Sequence, residues 1–141
     1  MPRGFKGIES GANLSPRLAN VKDLFLAGLK KARSDGRITA TKGITGAKIC
    51  EGLKRNRNIK LSGSDVRALV NYWRRNGQPI ISINSGYSIA LSNEELEPTL
   101  QHLEDRIRGE QAAVAGLRRA FKPLPDAIQE PLFAGENNNG R

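Results

Sequence analysis

Arg67 and Asn71 lie one helical turn apart in a stretch where apolar residues recur with helical period, and Ser64 lies one turn before Arg67. Arginine and asparagine on one outward helix face are the side chains that pair bidentately with guanine and adenine in the major groove. The hydroxyl of Ser64 can serve a base edge or a phosphate. Around them Lys54, Arg55, Arg57, Lys60, Arg74 and Arg75 supply the cations that neutralise phosphates. The chemistry implied is recognition of duplex DNA, with Arg67 open to two uses, a base edge or phosphate alone.

That face can point outward only if its opposite is buried. Val66, Leu69, Val70 and Trp73 fall at i, i+3, i+4 and i+7, which makes one apolar stripe on a helix over about 62–76. The outward face then carries Ser64, Arg67, Ala68, Asn71 and Arg75, flanked by Tyr72 and Arg74. Ser62 suits the N-cap, Asp65 the first turn, and Gly77 the left-handed position past the end. A shorter helix from Thr45 to about Leu53 precedes it, with Ile49 and Leu53 on one face and Cys50 toward the core. Residues 54–60 between them read as a basic loop with four cations in seven residues. After Gly77, residues 79–83 and 87–91 alternate with period two around the turn residues Asn84-Ser85-Gly86, as a β-hairpin does. Upstream, Asn20 is a candidate cap for a first helix to about Ser34, with Val21, Leu24, Phe25, Gly28 and Leu29 inward; residues 35–43 read as a loop. The fold class expected is mainly α with a small β-hairpin, a winged helix-turn-helix followed by a long heptad-patterned helix.

Arg67, Trp73-Arg74-Arg75-Asn76-Gly77, Pro79-Ile80 and Gly86-Tyr87, in this order, resemble the winged-helix domain of biotin-operon repressors and the small winged-helix proteins encoded by bacteriophages. The resemblance covers about a third of the chain. It implies a recognition helix in the major groove, a wing beside the backbone, a phage origin, and a role in transcription regulation or replication. The enlarged 54–60 loop departs from that pattern.

Charge agrees with such a partner. Residues 1–91 carry 17 Lys and Arg against 5 Asp and Glu, a net of +12, and residues 92–141 carry 6 against 9, a net of −3, which together make the chain's +9. Binding several phosphates releases counterions, so a positive half of this kind favours nucleic acid over a membrane or a small acidic ligand. At 141 residues and 38% apolar content the chain has one modest core with tails. Expected boundaries are a flexible basic arm at 1–18, a winged-helix domain at 19–91, a long helix at 92–122 and a disordered tail at 123–141. One cysteine excludes an internal disulfide. With no membrane-length apolar run and no signal-peptide core, a cytoplasmic location is expected.

In the long helix Ser92 and Glu95 form a capping-box pattern. Leu96, Leu100, Leu103, Ile107, Glu110, Val114, Leu117 and Phe121 then recur at alternating spacings of four and three, a heptad seam broken only by Glu110. Pro98 fits only near its start. Two uses compete: Leu100, Leu103, Ile107, Val114, Leu117 and Phe121 pair with a twin helix in a homodimer, or they pack on the helix at 20–34 of their own chain.

The tail contains Gln129-Glu130-Pro131-Leu132-Phe133, which resembles the short motif by which bacterial and phage proteins dock on the replicative sliding clamp. The resemblance implies that Gln129 bonds at a pocket rim while Leu132 and Phe133 fill apolar pockets. The alternative is that the two apolar residues tether the tail to the chain's own helix. A protein-interaction adaptor with weak DNA affinity is thus the second reading of function.

No catalytic constellation is visible. His102, the only histidine, has no second histidine or cysteine nearby, so no metal is expected. Glu94, Glu95, Glu97, Glu104 and Asp105 read as helix-surface carboxylates rather than an acid and base pair. Neither a cofactor nor an enzyme is expected.

Overall fold

The computed structural model describes residues 13–84 and 86–121. It is mainly helical, with a small three-stranded antiparallel sheet and a long C-terminal helix. Two compact units divide within that helix, at Leu103 and Glu104.

The first unit begins earlier than the apolar pattern suggests. Ser15 caps a one-turn helix α1 (Pro16–Ala19), its hydroxyl accepting from the Leu18 amide at 3.3 Å, and Pro16 takes the first helical position, where its missing N–H costs nothing. Leu18 is buried there, so residues 15–18, expected in the arm, belong to the folded unit. Asn20 ends α1 instead of opening the next helix, and α2 (Lys22–Ser34) starts after Val21 with no side-chain cap. Phe25, Leu26, Leu29 and Ala32 form its buried face.

A two-residue strand β1 (Ile44–Thr45) follows directly after the stretch expected to be a loop, at residues for which only the Thr45 cap was expected. Thr45 then caps α3 (Gly46–Arg57) by accepting from the Lys48 amide at 3.2 Å. Ser62 and Asp65 form a reciprocal capping box on α4 (Gly63–Arg75), with contacts of 3.1 and 2.9 Å. Gly77, at φ +85, turns the chain out of α4 in the left-handed conformation that glycine adopts without penalty.

The hairpin joins β2 (Ile80–Ile83) to β3 (Gly86–Ile89), with Ile83 opposite Gly86. Asn84 takes φ +55, as a tight hairpin turn requires. β3 lies between β1 and β2. At Gly86 a Cβ would stand 2.9 Å from the Ile44 backbone, and at Gly43 one would stand 2.9 Å from that of Tyr87. The two glycines therefore set how closely β1 and β3 approach. Leu69, Ile80 and Val66 are almost wholly buried and join Phe25, Leu29 and Ile89 in one core.

The long helix α5 spans Asn93–Leu117 and includes Pro98 in its second turn. Ser92 Oγ accepts from the Glu95 amide at 3.3 Å, while the Glu95 carboxylate accepts from the Leu91 amide at 2.9 Å, one residue before the partner a standard capping box uses. Thr99 Oγ1 accepts from the Ser82 amide at 3.1 Å, so the start of α5 satisfies the open edge of β2. Arg33 of α2 donates to the Ile89 carbonyl at 3.0 Å and to Glu95 at 3.2 Å, with both side chains three-quarters buried or more. The helix ends at Leu117 and turns follow, so Phe121 stands outside it and is fully exposed. Phe121 is thereby removed from the helical seam. Among the described residues no helix is long and apolar enough to cross a membrane.

The Leu91 amide and the adjacent Arg33 guanidinium hold the Glu95 carboxyl below the ordinary glutamate range, despite some opposing desolvation. A carboxyl lowered on folding adds stability that is complete above its unfolded pKa and is lost as the pH falls through the folded one. Glu95→Gln is therefore expected to lower the thermal midpoint at neutral pH, with the gap from the parent closing in strong acid. Thermal melts across pH test this, and a gap that stays constant into strong acid contradicts the linkage.

Candidate nucleic-acid interface

α4 is two-faced because its apolar residues recur every three or four positions. Val66, Leu69 and Val70 are at most 3% exposed, so the helix cannot roll without opening the core. Trp73 completes the stripe half-buried, its indole N–H donating to the Lys22 carbonyl of α2 at 3.0 Å. Tyr72 stands edge-on to Trp73 with ring centroids 5.0 Å apart, and the Lys22 ammonium lies 5.9 Å and 5.5 Å from the two rings.

The opposite face holds Ser64, Arg67, Asn71 and Arg75, all exposed. Arg67 donates to Ser64 Oγ at 3.2 Å, one turn back along the helix. That bond orients the guanidinium along the outward face. Ala68, expected on this face, is half-buried against the core, because its position borders the stripe.

Arg74, expected among the phosphate-contacting cations, is engaged within the fold. Its Nε donates to the Ile80 carbonyl and its Nη2 to Ser82 Oγ, both at 2.9 Å, which fastens α4 to β2. Arg75, the next residue, is rotated about 100° around the helix and stays exposed.

The basic stretch also differs from the expected loop. Lys54, Arg55 and Arg57 belong to the last turn of α3, where cations complement the helix dipole. Asn58, at φ +55, caps that helix by returning its amide to the Lys54 carbonyl, and residues 58–62 make the turn into α4. The connection, residues 58–62, is shorter than the expected 54–60 loop but still longer than a turn of three or four residues. Lys54, Arg57 and Lys60 are exposed, and Arg55 pairs with Glu51 at 3.5 Å.

Arg17 was not picked out by the sequence pattern. It donates to Asp65 at 3.0 Å and to the Lys60 carbonyl at 3.3 Å, and so ties α1 to the turn before α4. The Ser62 amide, with Arg17 beside it, holds the Asp65 carboxyl below the ordinary aspartate value against some desolvation. Only contacts between residues distant in sequence define this role.

Gln129, Leu132 and Phe133 lie outside the described residues. No protein-family model, curated protein or solved structure matches the chain.

Arg74 and Arg75 can be separated by experiment. Arg74→Ala should lower the thermal midpoint, because it leaves the Ile80 carbonyl short of a donor, at roughly 1–3 kcal/mol. Arg75→Ala should leave the midpoint nearly unchanged and, if Arg75 meets a phosphate, reduce the slope of log affinity against log salt by about one. The reverse assignment in melts and salt titrations would overturn the partition.

Proposed function

We propose that the chain is a duplex-DNA-binding protein of winged-helix type, acting in transcription regulation or replication. In this reading α4 enters the major groove, with Ser64, Arg67 and Asn71 toward base edges. Lys54, Arg55, Arg57, Lys60 and Arg75 contact phosphates, and the hairpin lies beside the backbone. The supporting observation is the outward face of α4, where side chains suited to base reading stand on a helix whose other face is locked in the core. A rigid platform suits direct readout, since hydrogen bonds to base edges depend on direction. The net +12 of residues 1–91 adds long-range attraction.

Selection of bound sequences from a random duplex pool, followed by affinity measurements, tests this reading. Arg67→Ala and Asn71→Ala are each expected to cost roughly 1–3 kcal/mol on the selected site and little on random duplex. Equal losses on both DNAs would reassign these residues to the phosphates. Failure of the parent chain to bind either DNA would remove the proposal.

A second, separable reading is that the tail docks on a replicative sliding clamp, as the Gln129, Leu132 and Phe133 spacing suggests. A peptide of residues 126–136 should then bind a bacterial clamp with roughly micromolar affinity, about −8 kcal/mol. Replacing Leu132 and Phe133 with Ala should abolish that binding. A parent peptide that fails to bind at high micromolar clamp counts against the adaptor reading.

A further inference from the structure

The second half of α5 exposes an ordered apolar face. Ile107, Val114 and Leu117 are 54, 49 and 73% exposed, and Leu100 is 39% exposed. From Leu96 to Leu117 the seam keeps its alternating four and three spacing, which places Leu100, Ile107 and Val114 at a positions. Leu96, Leu103, Glu110 and Leu117 occupy d. Gly109 and Gly116 lie off the seam, where an added Cβ would meet nothing within 4 Å. Each lowers helix stability relative to alanine. A short stretch weakened in this way does not persist as helix through its backbone alone and needs burial of its apolar face.

We propose that this face pairs with the same face of a second copy, as a parallel, in-register, two-stranded coiled coil over residues 100–117. A 3.5-residue seam is complementary to itself. β-branched Ile107 and Val114 at a, with Leu103 and Leu117 at d, form the combination that favours two parallel strands over other assemblies.

Glu110 sets the register. In register it meets its counterpart in a single polar layer bordered by Ile107, Gln111 and Val114 of the second copy. Sliding one helix by a heptad would set Glu110 against Leu103 in one place and against Leu117 in another, placing carboxylates in two apolar layers. Parallel pairing brings the Asn93 ends of the two helices together. If the DNA reading above holds, the dimer is then suited to an inverted repeat with matching two-fold symmetry; the pairing itself does not rest on that reading.

Sedimentation equilibrium of the full chain without DNA tests the pairing. The parent is expected to be dimeric, and Ile107→Asp should weaken the dimer at least about a hundredfold by placing charge in an apolar layer. Glu110→Leu should tighten it. Emission from Trp73, the chain's only tryptophan, reports whether the first unit stays folded. Orientation is read with Val114→Cys in a Cys50→Ser background, where parallel in-register helices should join through position 114 on mild oxidation. A parent that is monomeric at tens of micromolar overturns the proposal. So does a dimer unaffected by Ile107→Asp, or loss of the native Trp73 signal in that variant, which would mean that the face serves its own chain. A dimer that does not cross-link through position 114 overturns the parallel register. Loss of DNA binding with the dimer intact counts against the DNA reading alone.

Discussion

Burial of Val66, Leu69 and Val70 is the constraint on which the first unit depends. Each such side chain contributes about 1.5–3 kcal/mol when removed from water, and together they join residues of α2, α3 and the sheet in one core. Their helical spacing leaves α4 a single orientation. Because side chains point outward every 3.6 residues, the same constraint fixes Ser64, Arg67, Asn71 and Arg75 on the solvent side. Core and candidate interface are thus two faces of one helix, and a change that disturbs the first displaces the second.

Polar contacts complete what apolar packing leaves undetermined. Apolar burial is non-directional, so it does not by itself fix the sheet or α5 against the helices. Arg33 joins α2 to the end of β3 and, through Glu95, to the start of α5. Arg74 joins α4 to β2, Thr99 closes the outer edge of β2, and buried Ser88 donates to the Thr39 carbonyl before β1 at 2.8 Å. Each pairs a group that would be costly to leave unsatisfied, so each has a preferred geometry. A cluster of such bonds defines one arrangement where packing alone would allow several.

The parts legible in the sequence were those with a strong period or a strong cap. The α4 stripe, its Ser62 cap, the Gly77 exit and the hairpin's place follow from local rules and stand as expected, whereas the hairpin's burial does not alternate, since the adjacent Ile80 and Ile81 are both buried. The last turn of α3 did not, because four cations in seven residues resemble a solvated loop; the fit of Lys54, Arg55 and Arg57 to a helix C-terminus is visible only once Asn58 is seen to close it. β1 has two residues, too few for alternation to register. In α1 the signal was present in Ser15-Pro16 but lay in a Gly- and Ser-rich stretch that reads as a tail. Arg74 is chemically indistinguishable from Arg75 in sequence. Only the position of β2 separates the fastener from the exposed cation.

That separation bears on how the candidate interface can work. With Arg74 held by β2 and Arg17 held by Asp65, the cations around α4 divide into those that keep the helix in place and those available to a ligand. The held group fixes the direction of the helix. The exposed group, Lys54, Arg57, Lys60 and Arg75, is drawn from both helices and the turn between them. Phosphate contacts from such separate points restrict the angle at which α4 meets a duplex, whereas cations along a single line would allow it to pivot. Base reading by Arg67 and Asn71 depends on that angle, since a bidentate contact fails once its two donors or acceptors leave the plane of the base. Specificity in this reading therefore rests on groups that touch no base.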